Sequence, residues 1–233
     1  MILSAPRSRG EVVRAVFGAS GCGRGVMPLV REKLAGGASS PSGTEPAPLF
    51  LDDGVITGTV ARSVNGHDVL SYDEFVSLPF AKKEVVIAIA NPLIRSQLAD
   101  RCLRDGIGFF NVQARNSILM DDIEIDVGAI ISPFATITSN VRIGRHFHCN
   151  LYSYVEHDCI VGDFVTFAPG VHCNGNVVIE DFVYIGAGAV IRNGRPGMPI
   201  VIGRRATIGM GAVVTRSVPP GVTVIGNPAR VLR

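Results

Sequence analysis

The sequence predicts two domains of different class: a small parallel α/β domain over residues 1–116, followed by an all-β, parallel β-helical domain over residues 117–233. Three observations carry this expectation. Strand-like apolar stretches alternate with helical ones up to about residue 115. From Leu119 onward an apolar residue returns every sixth position. The length, 233 residues with 47% hydrophobic and 18% charged, suffices for buried cores in both parts.

Composition also excludes several classes. Mean hydropathy is +0.33, yet no uninterrupted apolar run approaches the ~18 residues of a membrane span. The opening MILSAPRSRG is not followed by an apolar signal core. Net charge is +2 with Lys and Arg scattered, which argues against nucleic acid as the main partner. The five cysteines form no CxxC pair, so reduced thiols in a cytoplasmic protein are expected. The histidines are spread along the repeat and Cys149, Cys159 and Cys173 fall in its apolar series as core residues, so no metal site is expected.

The first domain reads in order as follows. Residues 11–17 (EVVRAVF) form a strand that runs into Gly18-Ala19-Ser20-Gly21-Cys22-Gly23 and then a helix to about Leu34. A Gly/Ser/Pro-rich segment, 36–48, reads as a flexible loop. Strand PLFLDD (48–53), a short helix at 72–78, strand EVVIAIA (84–90), helix 92–105 and strand IGFFNV (107–112) complete it. A glycine loop between strand and helix can cradle phosphates on backbone N–H groups at the helix N-terminus. Its spacing here, GxxGxG, is not the dinucleotide GxGxxG. Asp52 and Asp53 end the next strand, where acidic side chains often bind a ribose. The alternative is that the glycines only make a tight turn and the aspartates only cap.

In the second domain the sixth-residue series runs Leu119, Ile125, Ile131, Ile137, Ile143, Cys149, Val155, Val161, Phe167, Cys173, Ile179, Ile185 and Ile191. After an insertion around 195–199 it resumes at Ile202, Ile208 and Val214. An unbroken apolar run of this kind arises by chance on the order of once in 10⁵. A second series four residues later is mostly small or β-branched: Ala129, Ala135, Val141, Val165, Val171, Val177, Val183, Ala189, Ala206 and Ala212 among others. Each hexad thus reads as one short strand plus a tight turn, and three hexads close a triangular coil whose stacked interior is a continuous apolar column. The alternative, a β-sandwich, has longer strands and no fixed turn spacing.

With both halves in view the chain resembles the NeuD/PglD family of sugar acetyltransferases. The resemblance spans nearly the whole chain and rests on VFGASGCGRG (16–25), FLDD (50–53), AIANPLIR (88–95), YVEHDCIVGDF (154–164), CNGNVVI (173–179) and IGNPARVL (225–232). It implies a Rossmann-like first domain that holds a nucleotide-sugar, and a left-handed β-helix that trimerises with acetyl-CoA between neighbouring subunits. It further implies that His157 is the general base, that Asp158 orients it, that Asn150 belongs to the active site, and that the Gly175 N–H receives the thioester oxygen. Thr166, Gly175 and the small-residue corners Gly186, Ala187, Met210 and Gly211 would meet the cofactor. Gly18, Ser20, Gly21, Cys22, Gly23, Asp52, Asp53, Asn91 and Arg95 would hold the nucleotide-sugar. Two positions depart from the family pattern: Cys22 and Thr166 replace histidines. His148, eighteen residues before Thr166, is a candidate to take over part of the missing role.

The expected reaction is transfer of acetyl from acetyl-CoA to the amine of a nucleotide-linked, UDP-bound 4-amino deoxysugar, in cell-surface glycan synthesis. The motifs do not separate amine from hydroxyl acceptors, so O-acetylation of sialic acid or a related glycan is the nearest alternative. A non-catalytic nucleotide-sugar-binding trimer is the alternative from another class. An oxidoreductase is disfavoured by the glycine spacing.

Overall fold

The sixth-residue apolar series becomes the inward-facing end of successive two- and three-residue strands. In a computed structural model, which describes residues 12–36 and 46–232, the chain divides into two units. One comprises 1–89 with 97–112, the other 90–96 with 113–233. Residues 90–96, taken from sequence as part of the first domain, thus group with the β-helix, and the division falls at 112/113 rather than 116/117. Residues 37–45, within the expected flexible loop, lie outside the described residues, as does the start of the chain. Among the described residues no helix is long and apolar enough to cross a membrane.

The first unit is built on a sheet with strand order β3-β4-β2-β1-β5-β6, parallel except at the edge strand β3. Its elements are β1 (Val12–Phe17), α1 (Gly21–Gly36), β2 (Leu49–Leu51), α2 (Gly54–Thr57), β3 (Ser63–Val64), β4 (His67–Leu70), α3 (Tyr72–Val76), β5 (Lys82–Ile87), α4 (Pro92–Arg104), whose residues up to Ser96 group with the second unit, and β6 (Gly108–Phe109). β1 is central and its Ala15 and Val16 are fully buried, as expected of a strand covered on both faces. α3 starts with a capping box, in which Ser71 and Glu74 exchange side-chain and backbone bonds. Sequence reading missed the antiparallel pair β3–β4, although Asn65-Gly66 with φ 50° and 79° is the expected two-residue hairpin turn.

The second unit is the left-handed parallel β-helix. Its strands stack into three sheets, and each pairs with the strand eighteen residues on, as in Ile137↔Val155 and Val155↔Cys173. Across the insertion the offset is twenty-three, as in Ile185↔Ile208, and in the last coil it is sixteen, as in Ile208↔Val224. Ile137, Val155, Cys173, Ile191 and their counterparts form one buried column. The second series is buried as well, and one member departs from the small-residue rule: Phe147 is fully buried, edge-on to Phe167 at 5.2 Å. Its neighbour one coil below is Ala129, which leaves the volume free.

Ten turns place a non-glycine residue in the left-handed region: Asp122, Phe134, Asn140, His146, Tyr152, Asp158, Phe164, Asn176, Phe182 and Arg205 all have φ between 54° and 61°. Side-chain chemistry at these corners is free to vary, and two corners carry stacked rings. His146, Phe164 and Phe182 form a ladder with centroids 4.9 and 5.4 Å apart. Phe134 stacks on Tyr152 at 4.9 Å.

Candidate active site

Three corners run the length of the triangular coil, and the residues expected at the site fall mainly on two of them. Register stacks Val155, Cys173 and Ile191, so the residues just after them, Glu156-His157-Asp158 and Asn174-Gly175-Asn176, share one corner. Cys149, Phe167, Ile185 and Ile208 stack likewise. Asn150, Gly186-Ala187 and Met210-Gly211 therefore share a different corner.

At the first corner, Asp158 occupies the left-handed position with φ 57°, which turns its carboxylate back toward the preceding residue. Its Oδ2 lies 2.7 Å from Nδ1 of His157. This bond is the main reason the His157 pKa lies above the ordinary histidine value and the Asp158 pKa below that of a free carboxylate. With Nδ1 committed to the aspartate, neutral His157 keeps its Nε2 lone pair as a proton acceptor. Asn140, one coil below, donates to the other Asp158 oxygen at 3.3 Å. Sequence reading missed Asn140; the signal was its offset of eighteen from Asp158.

Gly175 lies one coil above His157. A Cβ built on it would sit 2.6 Å from both Nε2 and Cε1 of the imidazole, so only glycine lets the ring lie there. Its N–H donates to Glu156 Oε2 at 3.2 Å. The donor expected to meet a thioester oxygen is thus covered by a neighbouring carboxylate, which must withdraw before an incoming oxygen takes that bond. The insertion leaves the helix at this same corner: Gly194 N–H donates to Gly175 O at 3.0 Å, and Met198 at the loop tip is exposed.

At the second corner, Asn150 turns its side-chain oxygen onto the Leu151 N–H at 2.8 Å. Gly186 is needed for coil packing, because a Cβ there would meet Met210 N at 2.5 Å. Gly211 takes the left-handed turn with φ 65°, and Ala187 and Met210 are exposed beside it. One chain therefore does not bring Asn150 and these corners onto His157.

Two expected contact residues are committed elsewhere. Arg95 was expected to bind the nucleotide-sugar, but its side chain is fully buried (0% exposed). Its guanidinium donates to the carbonyls of Ala90, His146, Phe164 and Val165 and to Thr166 Oγ1. A buried cation so saturated fastens segment 90–96 to the coil. Thr166, expected at the cofactor, is buried too; its hydroxyl accepts from Arg95 at 2.9 Å and donates to Ala90 O at 2.8 Å. His148 does pair with Thr166 in register, and is likewise buried.

In the first unit, Gly18 has φ 108° and a Cβ on Gly23 would overlap the Gly18 carbonyl oxygen; both glycines are required by the turn itself. Ser20 and Gly21 are exposed and Cys22 half-buried at the start of α1. Asp52 uses both oxygens inside the fold, on the N–H groups of Ala19 and Gly54 at 3.0 Å each. Asp53 accepts from Tyr72 N–H at 2.8 Å and from Arg101 at 3.3 Å. The two aspartates thus brace the glycine loop and α3, whatever else they bind. In the second unit, Asn91 caps α4, accepting from the N–H groups of Leu93 and Ile94 at 3.0 and 3.2 Å.

No family model matches the chain. Individual proteins do. GDP-perosamine N-acetyltransferase of Escherichia coli O157:H7 is 49% identical over 218 residues, 94% of this chain and 95% of that protein. The solved structure of WeeI from Acinetobacter baumannii AYE superposes with a TM-score of 0.87 at 49% identity, covering 95% of this chain and all of that one. The acetyltransferase domain of PglB from Neisseria gonorrhoeae FA1090, in complex with acetyl coenzyme A, superposes at 0.79 with 29% identity, over 96% and 100% of the two chains. Coil, corner and relatives agree that this chain belongs to the NeuD/PglD-like family of hexapeptide-repeat sugar acetyltransferases.

Proposed function

We propose that the protein transfers acetyl from acetyl-CoA to the 4-amino group of a GDP-linked deoxyamino sugar of the perosamine type. Guanosine replaces the uridine expected from sequence, because the curated relative at 49% identity acts on GDP-perosamine. The observation that carries the chemistry is His157, held at Nδ1 by Asp158 and lying against Gly175 on its Nε2 side. Nε2 accepts a proton as the amine attacks the thioester carbonyl. Gly175 N–H, released by Glu156, bonds the tetrahedral oxyanion; losing such a donor typically costs about 10²–10³ in rate. Collapse expels the CoA thiolate, which takes the proton back from the imidazolium.

The division of the site over two corners favours a homotrimer in which one subunit supplies His157 and Gly175 and its neighbour supplies Asn150 and the Gly186 and Met210 corners. The stacked pair Phe134 and Tyr152, 52% and 62% exposed, supports burial of this surface by another copy.

Thiol release from acetyl-CoA with GDP-, UDP- and dTDP-linked 4-amino sugars, for wild type and His157→Ala, tests the reading. Release with the GDP sugar, reduced about 10²–10⁴-fold in the variant, is expected. Preference for the UDP sugar would overturn the nucleotide assignment. Release only with hydroxyl acceptors would overturn the amine.

A further inference from the structure

The corner ladder His146–Phe164–Phe182 ends abruptly. The next left-handed position is Arg205 (φ 59°), whose guanidinium carbon lies 5.7 Å from the Phe182 ring centroid. Arg204 lies over the same ring at 5.0 Å, but its charge is met by Asp181 at 3.3 Å. Among the described residues Arg205 has no carboxylate partner.

Arg205 lines a cleft of about 350 Å³ with Asn91, Leu93, Phe182, Tyr184 and Thr207. No acidic residue lines it. Tyr184 and Thr207 follow one another in register on the outward face of one sheet, and among the described residues neither hydroxyl is hydrogen-bonded. Asn91 has turned its oxygen onto α4, which leaves Nδ2 as its remaining donor. One unneutralised cation, two hydroxyls and an amide donor therefore surround a space walled on one side by an aromatic face. Such a donor set, without a competing carboxylate, is complementary to phosphate oxygens.

We propose that this cleft is a phosphate-binding subsite with Arg205 as its cation. On the proposed function two substrates carry phosphate, the diphosphate of the nucleotide-sugar and the phosphates of CoA, and the test separates them. Inorganic pyrophosphate, GDP and CoA are titrated calorimetrically into the full-length protein, for wild type, Arg205→Gln and Tyr184→Phe. The cleft predicts that wild type binds pyrophosphate and that Arg205→Gln weakens it about tenfold, the factor of one charge-assisted hydrogen bond. A matching loss for GDP with CoA unchanged assigns the nucleotide-sugar; the reverse assigns CoA. If Arg205→Gln lowers the melting temperature, Tyr184→Phe carries the test with an expected loss of several-fold.

Affinities within twofold of wild type in both variants, or no pyrophosphate binding by wild type, overturn the subsite. None of these readings needs turnover, so a failure of the proposed transferase reaction is seen separately, in the thiol-release assay.

Discussion

Replacing Gly175 by alanine tests the packing of His157 that the proposed reaction relies on. Gly175 lies outside the left-handed region, so its backbone accepts a Cβ. That Cβ would stand 2.6 Å from Nε2 and Cε1 of His157, whereas ordinary carbon contacts begin near ~3.5 Å. The exposed imidazole must therefore retreat by roughly 1 Å, either lengthening the 2.7 Å bond to Asp158 or moving Nε2 off the acceptor. A displacement of about 1 Å at a reacting centre can cost on the order of 10²-fold in rate. Stability should barely change, because the ring moves into solvent rather than into the core. The assay is thiol release at saturating acetyl-CoA, beside a thermal melt. A kcat about a hundredfold down with an unchanged melt is expected. A wild-type kcat would refute the placement of His157 against Gly175 as a catalytic requirement.

Other perturbations follow from the same corner and its neighbours. Asp158→Asn keeps a residue suited to the left-handed turn but removes the carboxylate whose hydrogen bond, and then whose charge, raise the His157 pKa. The acidic limb of the kcat/KM profile, where the base protonates, should move to lower pH while kcat falls about tenfold or more; an unmoved limb would detach Asp158 from the base. Glu156→Ala exposes the Gly175 N–H and should lower the KM for acetyl-CoA several-fold, about one exchanged hydrogen bond. An unchanged KM would show that the carboxylate does not compete with the thioester. Buried His146 (2% exposed) has its pKa pushed down to about 4 by burial, with the nearby Arg95 charge adding to it. The unfolded chain, with its histidine at 6.5, takes up a proton between pH 6.5 and 4 that the folded chain refuses, so stability is intact above pH 6.5 and declines by about 3 kcal/mol as pH falls to 4. His146→Phe, matching Phe164 and Phe182 at the same corner, should flatten that decline in denaturant melts; an equal decline would place the acid sensitivity elsewhere.

The helix was legible because its interior admits one kind of residue: at Ile137, Val155, Cys173 and Ile191 the column has room for an apolar side chain and nothing else. The left-handed corners were not legible, since Asp158, Phe164, Tyr152 and Arg205 share a backbone angle and no side-chain chemistry. His157 was singled out through a motif, but a motif gives presence without direction. Arg95 sits in the expected string, yet its guanidinium turns inward to five acceptors, and Thr166 is consumed by that same cation. Asn140 escaped notice because its partnership with Asp158 appears only when the chain is wound at eighteen residues per coil. The division of the site between two corners likewise follows from winding, not from distance along the sequence.

The eighteen-residue coil also makes this domain a ruler. Successive coils stand about 4.8 Å apart, the spacing of paired strands, so every outward-facing group has a rung number. His157 and Gly175 are one rung apart, and Gly186 and Met210 mark consecutive rungs of another edge. Removing one whole coil above His157 would preserve the facing of every side chain while shortening the molecule by one graduation; removing a single residue would rotate all that follows. The length of the domain can therefore change only in steps of one rung if its edges are to be kept.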